Sequence, residues 1–181
     1  MTRLFSPATR DALQAQGWRF ALLPDGLTLE TLRRTGASFK GTKFFDQHAS
    51  DAHEESFEGG DIAYRPGLMP DSLNRTYDEI PALLDGLNRL LPPGVTAALG
   101  SAAAYAWLLD DHHTRSGEWL LPSCFTWTLD GHRSSHLVTG AFGRTLPILV
   151  SPLPEGRGRG VGVMPLIVPE PASAPMAHPL R

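Results

Sequence analysis

Lysine is nearly missing from this chain of 181 residues: only Lys40 and Lys43 stand among its 16 basic side chains. Cysteine is scarcer still, with Cys124 alone, so no disulfide framework can form within the chain. No apolar run approaches the roughly 18 residues of a membrane-spanning helix. Residues 1–7 do not lead into the apolar segment of a secretory signal. Excess positive charge is absent as well, since 19 acidic residues outnumber the 16 basic ones and leave a net charge of −3. A nucleic-acid surface normally shows a basic domain or stripe, so nucleic acid is not an expected partner. These absences lead to the expectation of a soluble cytoplasmic protein with no covalent staples and no membrane partner.

What is present is enough for one folded unit. Hydrophobic residues make up 41% of the chain and charged ones 19%, which permits a sizeable core at this length. The dominance of arginine is what a GC-rich genome produces through its codons, because surface charge makes few demands on which cation carries it. Eighteen glycines and 16 prolines imply frequent turns without reaching the composition of a disordered chain.

Ser6 followed by Pro7 reads as an N-cap and first helical position, so residues 7–16 form a short helix that Gly17 ends. Residues 18–23 read as a strand closed by the turn at residues 24–26, and Thr28 caps a second short helix that stops at Gly36. Little order is assigned over residues 37–60. Ile80, Leu83, Leu84, Leu87, Leu90 and Leu91 recur at helical spacing and mark a central helix with an apolar face. Thr76 and Glu79 have capping-box spacing, Asp78 is an equally good cap, and the run of residues 92–94 stops the helix. Leu83, Leu87 and Leu90 are expected in the core beside Trp127 or Phe125. Ser101 caps a further helix, from Ala102 to about His113, whose core face presents Tyr105 and Leu108 or Leu109.

From Glu118 the pattern becomes strand-like. Trp119, Leu121, Ser123, Phe125, Trp127 and Leu129 alternate with Cys124, Thr126 and Thr128. Asp130 and Gly131 signal a hairpin, although residues 132–135 suggest a longer loop. Residues 136–142, 146–151 and 160–168 complete an antiparallel meander. The expected fold is therefore α+β: short N-terminal helices and two central helices packed on a mostly antiparallel C-terminal sheet. One domain spans residues 1–168, and residues 169–181 form a disordered, proline-rich tail.

Histidine is the most suggestive residue type. Six of the seven fall in three pairs: His48 and His53, His112 and His113, His132 and His136. A hydrolytic divalent metal takes imidazole and carboxylate ligands and keeps a position open for water. Asp110, Asp111, His112 and His113, with His132 and His136, are the candidate metal ligands. Against that, consecutive helical residues point about 100° apart, and loops and helix ends collect histidine without any metal. Ser101 lacks the second glycine of a nucleophile elbow and reads as a helix cap, while Cys124 has no neighbouring positive charge to stabilise a thiolate. The glycine-rich run at residues 156–162 carries Arg157 and Arg159, a candidate anion-binding pair, but it leads into a strand and not into the helix N-terminus that phosphate loops use. Trp18, Trp107, Trp119 and Trp127 can line a pocket or fill the core.

These residues favour a non-catalytic ligand- or partner-binding module that needs no cofactor. The alternative is a divalent-metal hydrolase built on residues 110–113 and a second histidine pair. A homodimer through an edge strand is compatible with the expected meander.

Overall fold

The computed structural model describes residues 3–35, 52–53, 57–132, 135–142, 145–150 and 160–170. Ser6 caps α1 (Pro7–Ala15), accepting the Thr9 N–H at 3.1 Å, with Pro7 in the first turn. β1 (Arg19–Leu23) follows, and Thr28 Oγ1 accepts the Thr31 N–H at 3.0 Å to start α2 (Leu29–Thr35). Two strands come next, the short β2 (Ala52–His53) and β3 (Gly60–Tyr64). The capping box of Thr76 and Glu79 opens a 3-10 turn (Tyr77–Glu79) that runs into α3 (Ile80–Asn88). After β4 (Val95–Ala98), α4 (Ala102–Ser116) begins at Ser101, whose Oγ accepts the Ala104 N–H at 3.1 Å, and ends at Gly117 in the left-handed conformation. β5 (Phe125–His132), β6 (Ser135–Phe142), β7 (Thr145–Val150), β8 (Val161–Gly162) and β9 (Leu166–Pro169) follow.

The fold is α+β, with its strands divided between two sheets and not gathered in one. The first sheet has the order β1-β3-β9-β4, all neighbours antiparallel. In the second, β5, β6 and β7 form the expected meander, while β8 pairs in parallel with Phe125 and Thr126 and β2 pairs with the far end of β5. Residues 160–168 are therefore not one strand of the meander. Pro165 has no N–H to offer a ladder, and the chain changes sheets there. The crossing is pinned from three sides: Ser72 Oγ accepts the Val163 N–H at 3.0 Å, Thr126 Oγ1 accepts the Met164 N–H at 2.9 Å, and Tyr105 donates to the Met164 carbonyl at 2.6 Å.

Helix α4 lies between the sheets, touching β1 on one side and β5, β6 and β7 on the other. Its alanines, 102 to 104 and 106, are fully buried and let the backbone approach closely, with Tyr105, Leu108 and Leu109 beside them. The face of β5 turned toward α4 carries Thr126, Thr128 and Asp130, all 0% exposed. Burial of such groups is tolerable because backbone satisfies them: Thr128 donates to the Leu137 carbonyl at 3.0 Å, and Asp130 Oδ2 accepts the Ala102 N–H at 2.5 Å. Asp130 and Gly131 do not make the hairpin turn; both lie inside β5, and His132 pairs with Ser135. The strand expected from Glu118 begins only at Phe125, because Ser123 adopts φ 61° and interrupts extension. At the other end, β9 continues through Pro169, and the Glu170 N–H donates to the Gly94 carbonyl at 3.0 Å, so pairing runs past Val168. Residues 171–181, the rest of the expected tail, lie outside the described residues.

The central leucine stripe is not the core expected of it. Ile80 is buried, Leu83, Leu84, Leu87 and Leu91 are half-buried, and Leu90 is 72% exposed. Helix α3 lies over β4, the edge strand of the first sheet, so only one flank of the stripe has sheet beneath it. Leu83 and Leu84 still reach the cluster containing Ile80, Trp127 and Val138, as the association with Trp127 required. The other flank faces a groove.

Candidate functional site: an apolar groove beside α3

One wall of the groove is α3 itself. Ala82, Leu83, Gly86 and Leu87 follow one another along a single helical face, and Leu90, in the turn that ends the helix, extends the wall. Asn88 fixes the helix on the sheet by accepting the Ala97 N–H at 2.7 Å. Glu79 holds the helix start: it accepts the Thr76 N–H at 2.8 Å and Arg75 at 3.1 Å, and these contacts, the backbone one first, hold its carboxyl below the usual glutamate value.

The facing wall is the loop after β3, residues 65–71, with Pro66, Leu68, Met69 and Pro70. Two prolines fix much of its backbone. Met69 donates to the Val163 carbonyl at 2.6 Å, and the buried Ser72 hydroxyl donates to the Met69 carbonyl at 2.6 Å. Asp71 and Asn74 take left-handed φ of 59° and 61°, and Asn74 donates to the Val161 carbonyl at 3.0 Å. The loop is thus held against the chain segment that crosses between the sheets. Pro165 and Trp18 complete the lining of this open groove, whose volume is about 640 Å³. That lies within the roughly 300–1,000 Å³ of small-molecule sites.

The two ends differ in charge. At the Leu90 end, the Arg65 guanidinium lies 4.4 Å from the Trp18 ring centroid and donates to the Gln16 carbonyl. Gln16 in turn donates to the Leu90 carbonyl at 3.3 Å and accepts the Trp18 indole N–H at 3.3 Å, which ties this corner to the end of α3. At the other end Asp71 precedes Arg75, whose side chain donates to the Asp71 carbonyl at 3.2 Å and to Glu79 at 3.1 Å. Between the ends the lining is apolar, and among the described residues it contains no serine, threonine, cysteine or histidine.

The histidine and aspartate candidates whose side chains are described lie outside this groove. His112 is buried, with its Nδ1 3.3 Å from the Tyr64 hydroxyl; burial, more than the Arg19 charge, lowers its pKa. His113, the next residue, stacks on Trp119 with ring centroids 3.9 Å apart, and Asp111 pairs with Arg115. Asp110 is half-buried on the same helix. His136 stacks on Tyr77, and burial lowers its pKa against the opposing influence of Asp78. His132 ends β5, and its side chain lies outside what the structure describes, as do His48, Arg157, Arg159 and the side chain of His53. Among the described residues, no three His, Cys, Asp or Glu side chains gather as a metal-ligand set. Cys124 is half-buried, and burial pushes its thiol pKa up, which disfavours the reactive thiolate.

The sequence did not single out Arg65 or the loop that follows β3. A signal was there in composition: two prolines bracket Leu68 and Met69, and Gly86 interrupts the leucine face of α3. No family model matches this chain, and no curated protein and no solved structure matches it either. Among the described residues, no helix is long and apolar enough to cross a membrane.

Proposed function

We propose that this chain is a non-catalytic, cytoplasmic binding module whose groove beside α3 takes a small apolar molecule. The observation that carries this reading is the groove itself: about 640 Å³ bounded by leucine, methionine, proline and tryptophan, with Leu90 largely exposed at its edge. An exposed leucine by itself is ordinary, whereas a contiguous apolar concavity with fixed walls is a recurring feature of ligand sites. Gly86 adds to it. Glycine inside a helix costs about 0.5–1 kcal/mol relative to alanine, yet here a Cβ would meet nothing within 4 Å. Neither close packing nor a turn demands a glycine at this position, and the side chain it omits leaves the groove open.

A catalytic reading of the same groove lacks its reagents. Among the described residues the lining offers no nucleophile and no imidazole, and its one carboxylate and one guanidinium sit at opposite ends. The test is a calorimetric titration of the protein with decanol. Binding with a dissociation constant on the order of 10 μM to 1 mM is expected for a ligand of this size. Gly86→Phe, which fills the groove from a position with room for a side chain, is expected to abolish it while leaving the melting temperature near that of the parent. No heat of binding to the parent, or equal binding to Gly86→Phe, contradicts the reading.

A further inference from the structure

The charge at the two ends of the groove narrows the ligand class. We propose that the ligand is a monocarboxylate with an apolar chain, its carboxylate held by Arg65 and its chain lying along α3 toward Leu83. This inference rests on the groove being a binding site. Arg65 has five N–H donors in a planar fork; one nitrogen serves the Gln16 carbonyl, and the guanidinium pairs with no carboxylate among the described residues. Stacking on Trp18 holds the fork at the groove mouth without neutralising it. A guanidinium so placed matches the two oxygens of a carboxylate in geometry as well as in charge.

Asp71 sets the other limit. It lines the groove, and its carbonyl accepts from Arg75, which pairs with Glu79 at the start of α3, so a second anionic group carried to that end would meet a like charge. A dicarboxylate is therefore disfavoured, and an alkyl or aryl terminus fits. The helix rise from Ala82 to the end of α3 at Asn88 is about 9 Å, and Leu90 in the following turn extends the apolar wall that a ligand chain can cover.

The experiment compares decanoate with decanol on the intact protein, below the concentration at which either self-associates. Decanoate is expected to bind about fivefold more tightly at low salt, the increment of a partly exposed charge-assisted contact. Added sodium chloride is expected to erode that difference, because the contact is open to solvent. Arg65→Gln is expected to equalise the two ligands, and Arg65→Lys to keep part of the preference. If decanol and decanoate bind equally to the parent protein and Gly86→Phe abolishes both, the groove is a site and the carboxylate assignment is wrong. If neither binds the parent, the groove reading itself fails. The comparison on the parent needs no variant, so it decides between these outcomes even where an Arg65 variant folds poorly.

Discussion

His112 points inward from α4 against Tyr64, and burial depresses its pKa below the usual value of 6.5, helped by the positive charge of Arg19. His136, on β6, is depressed by burial too. Between the lowered folded-state values and about 6.5, the unfolded chain binds protons that the folded chain refuses, so stability rises with pH across that window. The contribution is complete above about pH 6.5 and is lost as the pH falls below it. Urea denaturation from pH 7.5 downward should show this decline, and His112→Gln should flatten part of it. An unchanged decline in His112→Gln contradicts the burial of a neutral imidazole. Leucines give a second contrast at this scale. Leu108 is 0% exposed, so Leu108→Ala is expected to cost about 2–5 kcal/mol. Leu87 is half-buried, and Leu87→Ala is expected to cost about 1–2 kcal/mol; Leu90→Gln is expected to fall within about 0.5 kcal/mol of the parent. Equal losses at Leu87 and Leu108 would place the groove wall in the core.

Elements with local instructions were legible in the sequence. Ser6 and Pro7, Thr76 and Glu79, and Ser101 each satisfy a helix N-terminus through a contact a few residues long, so α1, α3 and α4 start where their caps say. β3 was not legible. Its five residues, from Gly60 to Tyr64, are all buried at the middle of the first sheet, and they include Asp61. That carboxylate is buried only because Arg10, 3.0 Å away, and the Phe5 N–H at 2.9 Å satisfy it from a distant part of the chain. No local pattern announces such a partner. Asp130 misled for the same reason: beside Gly131 it resembles a turn, but its carboxylate caps α4 across 28 residues. The groove escaped because periodicity shows which residues share a helical face and not whether a sheet lies under it. Two expectations follow for whole elements. Gly86→Ala should stabilise α3 by about 0.5–1 kcal/mol, as the added methyl removes backbone freedom from the unfolded chain and meets no neighbour. Ending the chain at Val168 should lower the melting temperature more than ending it at Glu170, by a few degrees for each kcal/mol of ladder lost, because Pro169 pairs with Val95 and Glu170 with Gly94.

On the scale of the molecule, α4 is an alanine-lined wedge between two sheets, and a buried chain segment crosses from one sheet to the other beside it. The 65–71 loop is fastened to that crossing, while α3 is fastened to β4. The groove lies between these two attachments, so its walls are set by tertiary contacts and need no ligand to form. A preformed site binds without the ordering cost that a collapsing one incurs. The most direct measurement is an NMR titration of the isotope-labelled protein with decanol, following backbone amides and the four tryptophan indoles. Saturable shifts are expected, confined to Ala82, Leu83, Gly86, Leu87 and Leu90, to residues 65–71 and to the Trp18 indole, with the Trp107 indole unmoved. Shifts that are absent, or that centre on α4 and the histidines instead, contradict the groove reading.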